Sequence, residues 1–180
     1  MHPDPAAAAI AAFIHDFRSQ KTTSERAASQ LDDAQLRAVI APDFNSVEVV
    51  MKHVAGNLRS RFTDFLTTDG EKPWRDRDGE FADTRRDRAE VFADWERGWA
   101  CLLSSLDALR PDDLARTVTI RSQPHTVAQA LTRSLAHMGY HTGQIVLLSK
   151  LLAGDRWKTI SIPRGGTAAF NRSLGHGPCA

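Results

Sequence analysis

Residues 126–152 read TVAQALTRSLAHMGYHTGQIVLLSKLL, and their spacing decides the fold class. Val127, Leu131, Ser134, Met138, His141, Ile145, Leu148 and Leu152 step by four and three residues. That period describes one face of an α-helix lying in a bundle seam. The run predicts a helix over 126–152, and Gly154 stands where a C-cap would stop it.

Working outward, the residues just before this helix change character. Residues 117–126, TVTIRSQPHT, alternate and are β-branched, which predicts a short hairpin or extended ribbon whose regularity Pro124 limits. Phe92, Trp95, Trp99, Leu102, Leu106 and Leu109 mark a third helix over about 85–109, ended by Arg110-Pro111. Val47, Val50, Met51, Val54, Leu58, Phe62 and Phe65 mark a second over about 46–66, with Asn45 or Ser46 as its N-cap. A first helix runs from about Ala7 to Leu36 on Ile10, Phe13, Ile14, Phe17, Ala27, Ala28 and Leu31. Between the second and third lies TTDGEKPWRDRDGEFADT, residues 67–84, a long connection with Trp74 and Phe81 as anchors. Loops of that length are often functional. The expected architecture is all-α: a four-helix bundle with a long crossover connection and a short extended ribbon before the last helix. A single domain spans 1–180, and in its tail, about 155–180, Trp157, Ile160, Ile162 and Phe170 pack partly on the bundle.

Composition narrows the function classes. The chain has 180 residues and is 42% hydrophobic, enough for a core without covalent staples. Its 23 Lys and Arg balance 22 Asp and Glu, which argues against a nucleic-acid binder. Cys101 reads as a small core residue and Cys179 as a tail thiol. The Ala-rich start lacks the basic region of a secretory signal, and no window matches the ~20 apolar residues of a membrane span. A cytoplasmic protein is expected.

The histidines carry the chemistry. His137 and His141 are four apart, on one helix face about 6 Å along the axis. Two imidazoles at that spacing can reach one metal ion. Equally, His141 could hydrogen-bond across the bundle while His137 sits at the surface. His53, beside the apolar stripe of the second helix, is the candidate third ligand if the second and fourth helices are neighbours. His2, His15, His125 and His176 show no comparable pairing. Three nitrogen ligands leave positions open, as in sites that bind or transform a substrate. Asn57 and Gln144 follow His53 and His141 by four and three residues and could orient ligands or water, or be plain exposed polars. Arg59, Arg61 and the arginines from Arg75 to Arg88 could meet an anionic substrate, or be solvated surface.

Two strings resemble the DinB-like superfamily: VMKHVAGN at 50–57 and HMGYHTGQI at 137–145. FLTTDGEKPW at 65–74, SIPRG at 161–165 and Phe170-Asn171 look like one uncharacterised branch of it. That superfamily contains bacillithiol transferases and relates to mycothiol-dependent isomerases. The resemblance implies a helical bundle in which His53, His137 and His141 bind a divalent metal such as zinc or nickel, and it implies a homodimer. It implies no reaction for this branch.

The leading expectation is a metal-dependent thiol S-transferase or related enzyme acting on a small-molecule substrate, such as a low-molecular-weight thiol. Trp74 would cover the pocket. One alternative is a metal-assisted hydrolase, for which Glu48 lies off the ligand face and Asp94 or Glu96 on the third helix would have to supply the base. The other is a non-catalytic metal-binding dimer serving as sensor or interaction module.

Overall fold

The computed structural model describes residues 4–82 and 86–175 of the protein. Its first helix, α1 (Pro5–Ala28), starts where the Asp4 side chain accepts the Ala6 N–H and Pro5 opens the first turn. The expected run to Leu36 is corrected. The chain leaves the helix after Ala28 and begins α2 (Asp33–Arg37) at a capping box. Asp32 accepts the Gln35 N–H at 2.8 Å and the Gln35 side chain accepts the Asp32 N–H at 3.1 Å. The Gln35 amide then donates to the Leu152 carbonyl at 2.6 Å, near the end of the last long helix.

Ser46 caps α3 (Val47–Phe62) by accepting the Val49 N–H. The expected end near Leu66 is also corrected. Thr63 turns extended and Asp64 takes φ 49°, so helical hydrogen bonding cannot continue. The long connection is not structureless: it holds a one-turn helix, α4 (Arg77–Glu80), capped by Asp76. A second capping box, Asp87 with Glu90, opens α5 (Arg88–Asp107). Residues 83–85, including the expected start of this helix, lie outside the described residues.

A 3-10 turn (Pro111–Ala115) leads to β1 (Thr117–Ile120) and β2 (Gln123–Thr126), paired antiparallel with Thr117 opposite Thr126 and Ile120 opposite Gln123. Arg121 and Ser122 form the two-residue turn at φ 53° and 60°, the left-handed pair that a type I′ hairpin requires. Neither is glycine. Asp69 supports the strained pair by accepting the Arg121 N–H at 2.9 Å and the Ser122 N–H at 2.7 Å. Thr126 and Gln129 box the start of α6 (Val127–Ala153), and α7 (Thr167–Ser173) lies in the tail.

The molecule is mostly helical with one small sheet. α3 packs along α5 and α1 along α6, while α3 also meets α6 and α1 meets α5. Gly98 lets α5 approach α3 closely, because a Cβ there would lie 2.7 Å from the Ala55 Cα. Trp95, Trp99, Phe17, Phe62 and Met138 are almost fully buried between the helices. Trp157 and Ile160 pack on this core from the tail, whereas Ile162 and Phe170 stay exposed. His2, His176 and Cys179 lie outside the described residues. Among the described residues, no helix is long and apolar enough to cross a membrane.

Candidate metal centre

The contact of α3 with α6 brings His53, His137 and His141 together, with one ligand atom from each lying within 4.8 Å of the others. The His137 Nε2 is 3.0 Å from the His141 Nε2 and 3.4 Å from the His53 Nε2. His53 and His141 are buried, His137 half-buried.

Hydrogen bonds on the far side of two rings decide which nitrogens carry protons. The His53 Nδ1 lies 2.9 Å from a Glu80 carboxylate oxygen, so that nitrogen is the donor. The His141 Nδ1 lies 2.7 Å from the Gln144 Oε1, and the Gln144 amide nitrogen donates to the Tyr140 hydroxyl at 3.1 Å. With the amide oxygen facing it, the His141 Nδ1 is a donor too. In the form that binds a metal, with a single proton on each Nδ1, both rings turn bare Nε2 lone pairs toward His137. A proton on the His137 Nε2 can satisfy only one of them and leaves the other unpaired. The buried His137 Nδ1 has no partner among the described residues. One cation facing the three nitrogens resolves the conflict, because it accepts all three lone pairs at once. The residues therefore fit a metal ion.

Electrostatics agree. Burial, with adjacent His141 and His53, pushes the His137 pKa down from 6.5 to about 3. Burial also lowers that of His141, against the hydrogen bond it donates to Gln144. These imidazoles are neutral near pH 7, the form that binds metal. Burial pushes the Glu80 carboxyl up, but the hydrogen bonds from His53 and Arg75 outweigh it and hold it below the ordinary carboxylate value. Arg75 grips Glu80 with two nitrogens, at 2.8 and 2.9 Å. Phe81 lies against the His53 ring, centroids 4.7 Å apart.

A cavity of about 230 Å³ opens on His53 and His137. Asn57 and Arg61 continue the His53 face of α3, and Arg133 with Ser134 continues the His137 face of α6. Phe62, Phe65 and Ile120 give it an apolar side, and Gly70, Arg75 and Arg77 come from the long connection. Asn57 borders this space without a direct hydrogen bond to the three rings, whereas Gln144 holds His141. Trp74, expected as a cover, lines a different cleft, where Arg59 stacks on it 5.4 Å from the ring centre.

The remaining candidates lie elsewhere. Asp94 pairs with Arg86 and Arg97, and Glu96 with Lys21. Glu48 accepts from the Arg86 N–H. Cys101 is half-buried, 3.5 Å from the Thr63 hydroxyl. His15 pairs with Asp16 at the surface, and the His125 Nδ1 meets the Gln123 carbonyl. Of the arginines, Arg61, Arg75 and Arg77 reach the cavity, while Arg88 donates to carbonyls at the end of α1.

Sequence reasoning missed Glu80 and Arg133, and it read Phe81 only as an anchor of the long connection. Glu80 and Phe81 stand in an irregular segment where no period points at them. Arg133 was findable, because it precedes His137 by one helical turn.

Fold and site together define a predominantly helical protein whose three clustered histidines could hold a metal ion beside a cavity. The chain belongs to the family described as "Protein of unknown function (DUF1572)", whose model matches residues 4–166. None of the curated proteins matches it.

Proposed function

We propose that the chain is a four-helix bundle of the DinB-like type in which His53, His137 and His141 hold one divalent ion, zinc or nickel. We infer that it is an enzyme joining a small thiol to an electrophile. One observation carries this reading: three Nε2 atoms turn to one point beside a cavity with room for a small molecule. A divalent ion there supplies Lewis acidity, which makes a thiol or water more acidic.

The chain's own residues do the rest. Glu80 and Gln144 keep protons on the far nitrogens of His53 and His141, so that their lone pairs stay directed inward. Phe62, Phe65 and Ile120 exclude water from one side, and the Asn57 amide offers a donor and an acceptor at the rim. In the reaction the S–H bond breaks and an S–C bond forms. The electrophile's leaving group departs with its electron pair, and the thiol's proton passes to solvent.

Two observations favour this over the rivals. The cavity reaches His53 and His137, which a purely steadying metal would not need. Among the described residues no carboxylate lines it, so metal-assisted hydrolysis lacks a base facing the cavity. The homodimer and the cytoplasmic location rest on the resemblance and the composition alone. The test is to incubate metal-loaded protein with small thiols and a chromogenic electrophile. Metal-dependent consumption of thiol, lost in His137→Ala, supports the reading; the same slow consumption with and without metal contradicts it.

A further inference from the structure

The cavity beside the histidines has a charge that the metal reading does not use. Among the described residues five arginines line it, Arg61, Arg75, Arg77, Arg121 and Arg133, and no Asp or Glu does. Three of them have carboxylate partners behind them, two glutamates shared among three guanidinium groups. Glu71 accepts from Arg61 at 3.1 Å and from Arg121 at 2.9 Å, and Glu80 accepts from Arg75. The other two differ. Arg133 has no ion pair or hydrogen bond among the described residues, and the only contact of Arg77 is with the Phe81 ring, 5.2 Å from its centre. Two guanidinium groups without counter-ions among the described residues therefore face one small space.

The positions of Arg133 and Arg61 in the two long helices set a polarity. Arg133 is one turn before His137 on α6, and Arg61 is two turns after His53 on α3. The metal-ligating end and the cationic end are thus separated by about one to two helical turns, roughly 6–12 Å of axis. A cavity of about 230 Å³ falls below the ~300–1,000 Å³ of drug-sized pockets, so the occupant is small.

We propose that this cavity binds a small anionic substrate whose oxyanion group, carboxylate or phosphate, is held by Arg77 and Arg133 while its other end meets the three histidines. The assignment rests on the proposed function for the second half of that statement only. Arginine suits either group, because its planar fork offers paired donors to two oxygens. The apolar side formed by Phe62, Phe65 and Ile120 takes the carbon chain between the two ends.

The test compares 3-mercaptopropionate, its neutral amide and 2-mercaptoethylphosphonate as ligands of the zinc-loaded chain, with zinc affinity measured separately. The anionic thiols should bind about tenfold more tightly than the amide, the scale of one charge-assisted hydrogen bond. That preference should shrink as salt is added, while amide binding stays constant. Arg77→Gln with Arg133→Gln should remove the preference and leave zinc affinity unchanged; both side chains are exposed. Whichever of carboxylate and phosphonate binds more tightly names the group. Equal binding of acid and amide, or a preference that survives both substitutions, overturns the inference even if zinc binds. If zinc fails to bind, the metal reading falls. The metal-free chain should still prefer propionate over propionamide, and no preference there overturns the anion site as well.

Discussion

Glu80 is the residue on which the geometry of the candidate centre turns. Its carboxylate sits between the His53 Nδ1 and the Arg75 guanidinium, and nearly all of its side chain is out of water. Glu80→Gln keeps the shape but removes the charge, and its amide can present a donor where His53 needs an acceptor. Metal affinity should fall about 10–100-fold, the usual cost of losing such a supporting partner. Competition with a chelator of known strength reads it, and an unchanged affinity would remove Glu80 from the account. Gly56 matters for the same reason. A Cβ there would collide with the Glu80 carboxylate, which cannot swing aside without releasing His53 and Arg75. Gly56→Ala should weaken metal binding as Glu80→Gln does.

His137 supplies a pH prediction for the metal-free protein. Its pKa is depressed from 6.5 to about 3 in the folded chain, so the unfolded chain binds more protons between those values. The stability held by this neutral ring is present above pH 6.5 and declines as the pH falls toward 3. The thermal midpoint should therefore drop across that window, and less steeply in His137→Gln. Equal slopes for the two proteins would show that His137 is not held neutral by burial.

At the scale of elements, the long helices were legible because periodicity, caps and breakers agree. Val127–Ala153 differs from its expected span by a residue at each end, since the Thr126–Gln129 box and Gly154 bound an unbroken stripe. The first helix was misread because Ala27, Ala28 and Leu31 continue the stripe across a real break. Asp32 and Gln35, a capping signature, restart the helix there. In the second helix Phe65 kept the period going after Asp64 had already ended it. Two of the three histidines were readable from spacing, and His53 needed its neighbours in sequence. Glu80 was not readable, because it reaches His53 only through the tertiary path of residues 67–82.

Two element contacts give stability predictions. Gly98→Ala puts a methyl against Ala55 backbone, which cannot yield as a side chain would. It should destabilise by about 1–3 kcal/mol through overpacking, measured by denaturant unfolding. The second contact is the tie from Asp69 to the hairpin turn. Burial alone would raise its pKa, but the N–H groups of Glu71, Ser122 and Arg121 outweigh that and lower it to about 2. Its contribution is full above its unfolded value of 3.8 and is lost as the pH falls through about 2. Asp69→Ala should speed amide exchange at Arg121 and Ser122 more than in α6. Unchanged exchange at the turn would show that the carboxylate does not hold it.

For the whole molecule, the site depends on parts far apart in sequence meeting at one junction. α3 brings one histidine, α6 brings two, and the long connection brings Glu80 with two cavity arginines. The proposed homodimer needs an exposed apolar face, and α6 offers Tyr140, Leu147 and Leu151, each more than half exposed. Leu147→Asp with Leu151→Asp should turn a dimer into a monomer in sedimentation, whereas a chain already monomeric would dispose of that proposal.

Everything functional hangs on whether three imidazoles bind one ion. The direct measurement is a calorimetric titration of the metal-free chain with zinc and with nickel, repeated on His53→Ala and His137→Ala. The account predicts one ion per chain for at least one of the two metals, and no comparable binding in either variant. No stoichiometric binding of either metal, or binding that both substitutions leave intact, would contradict it.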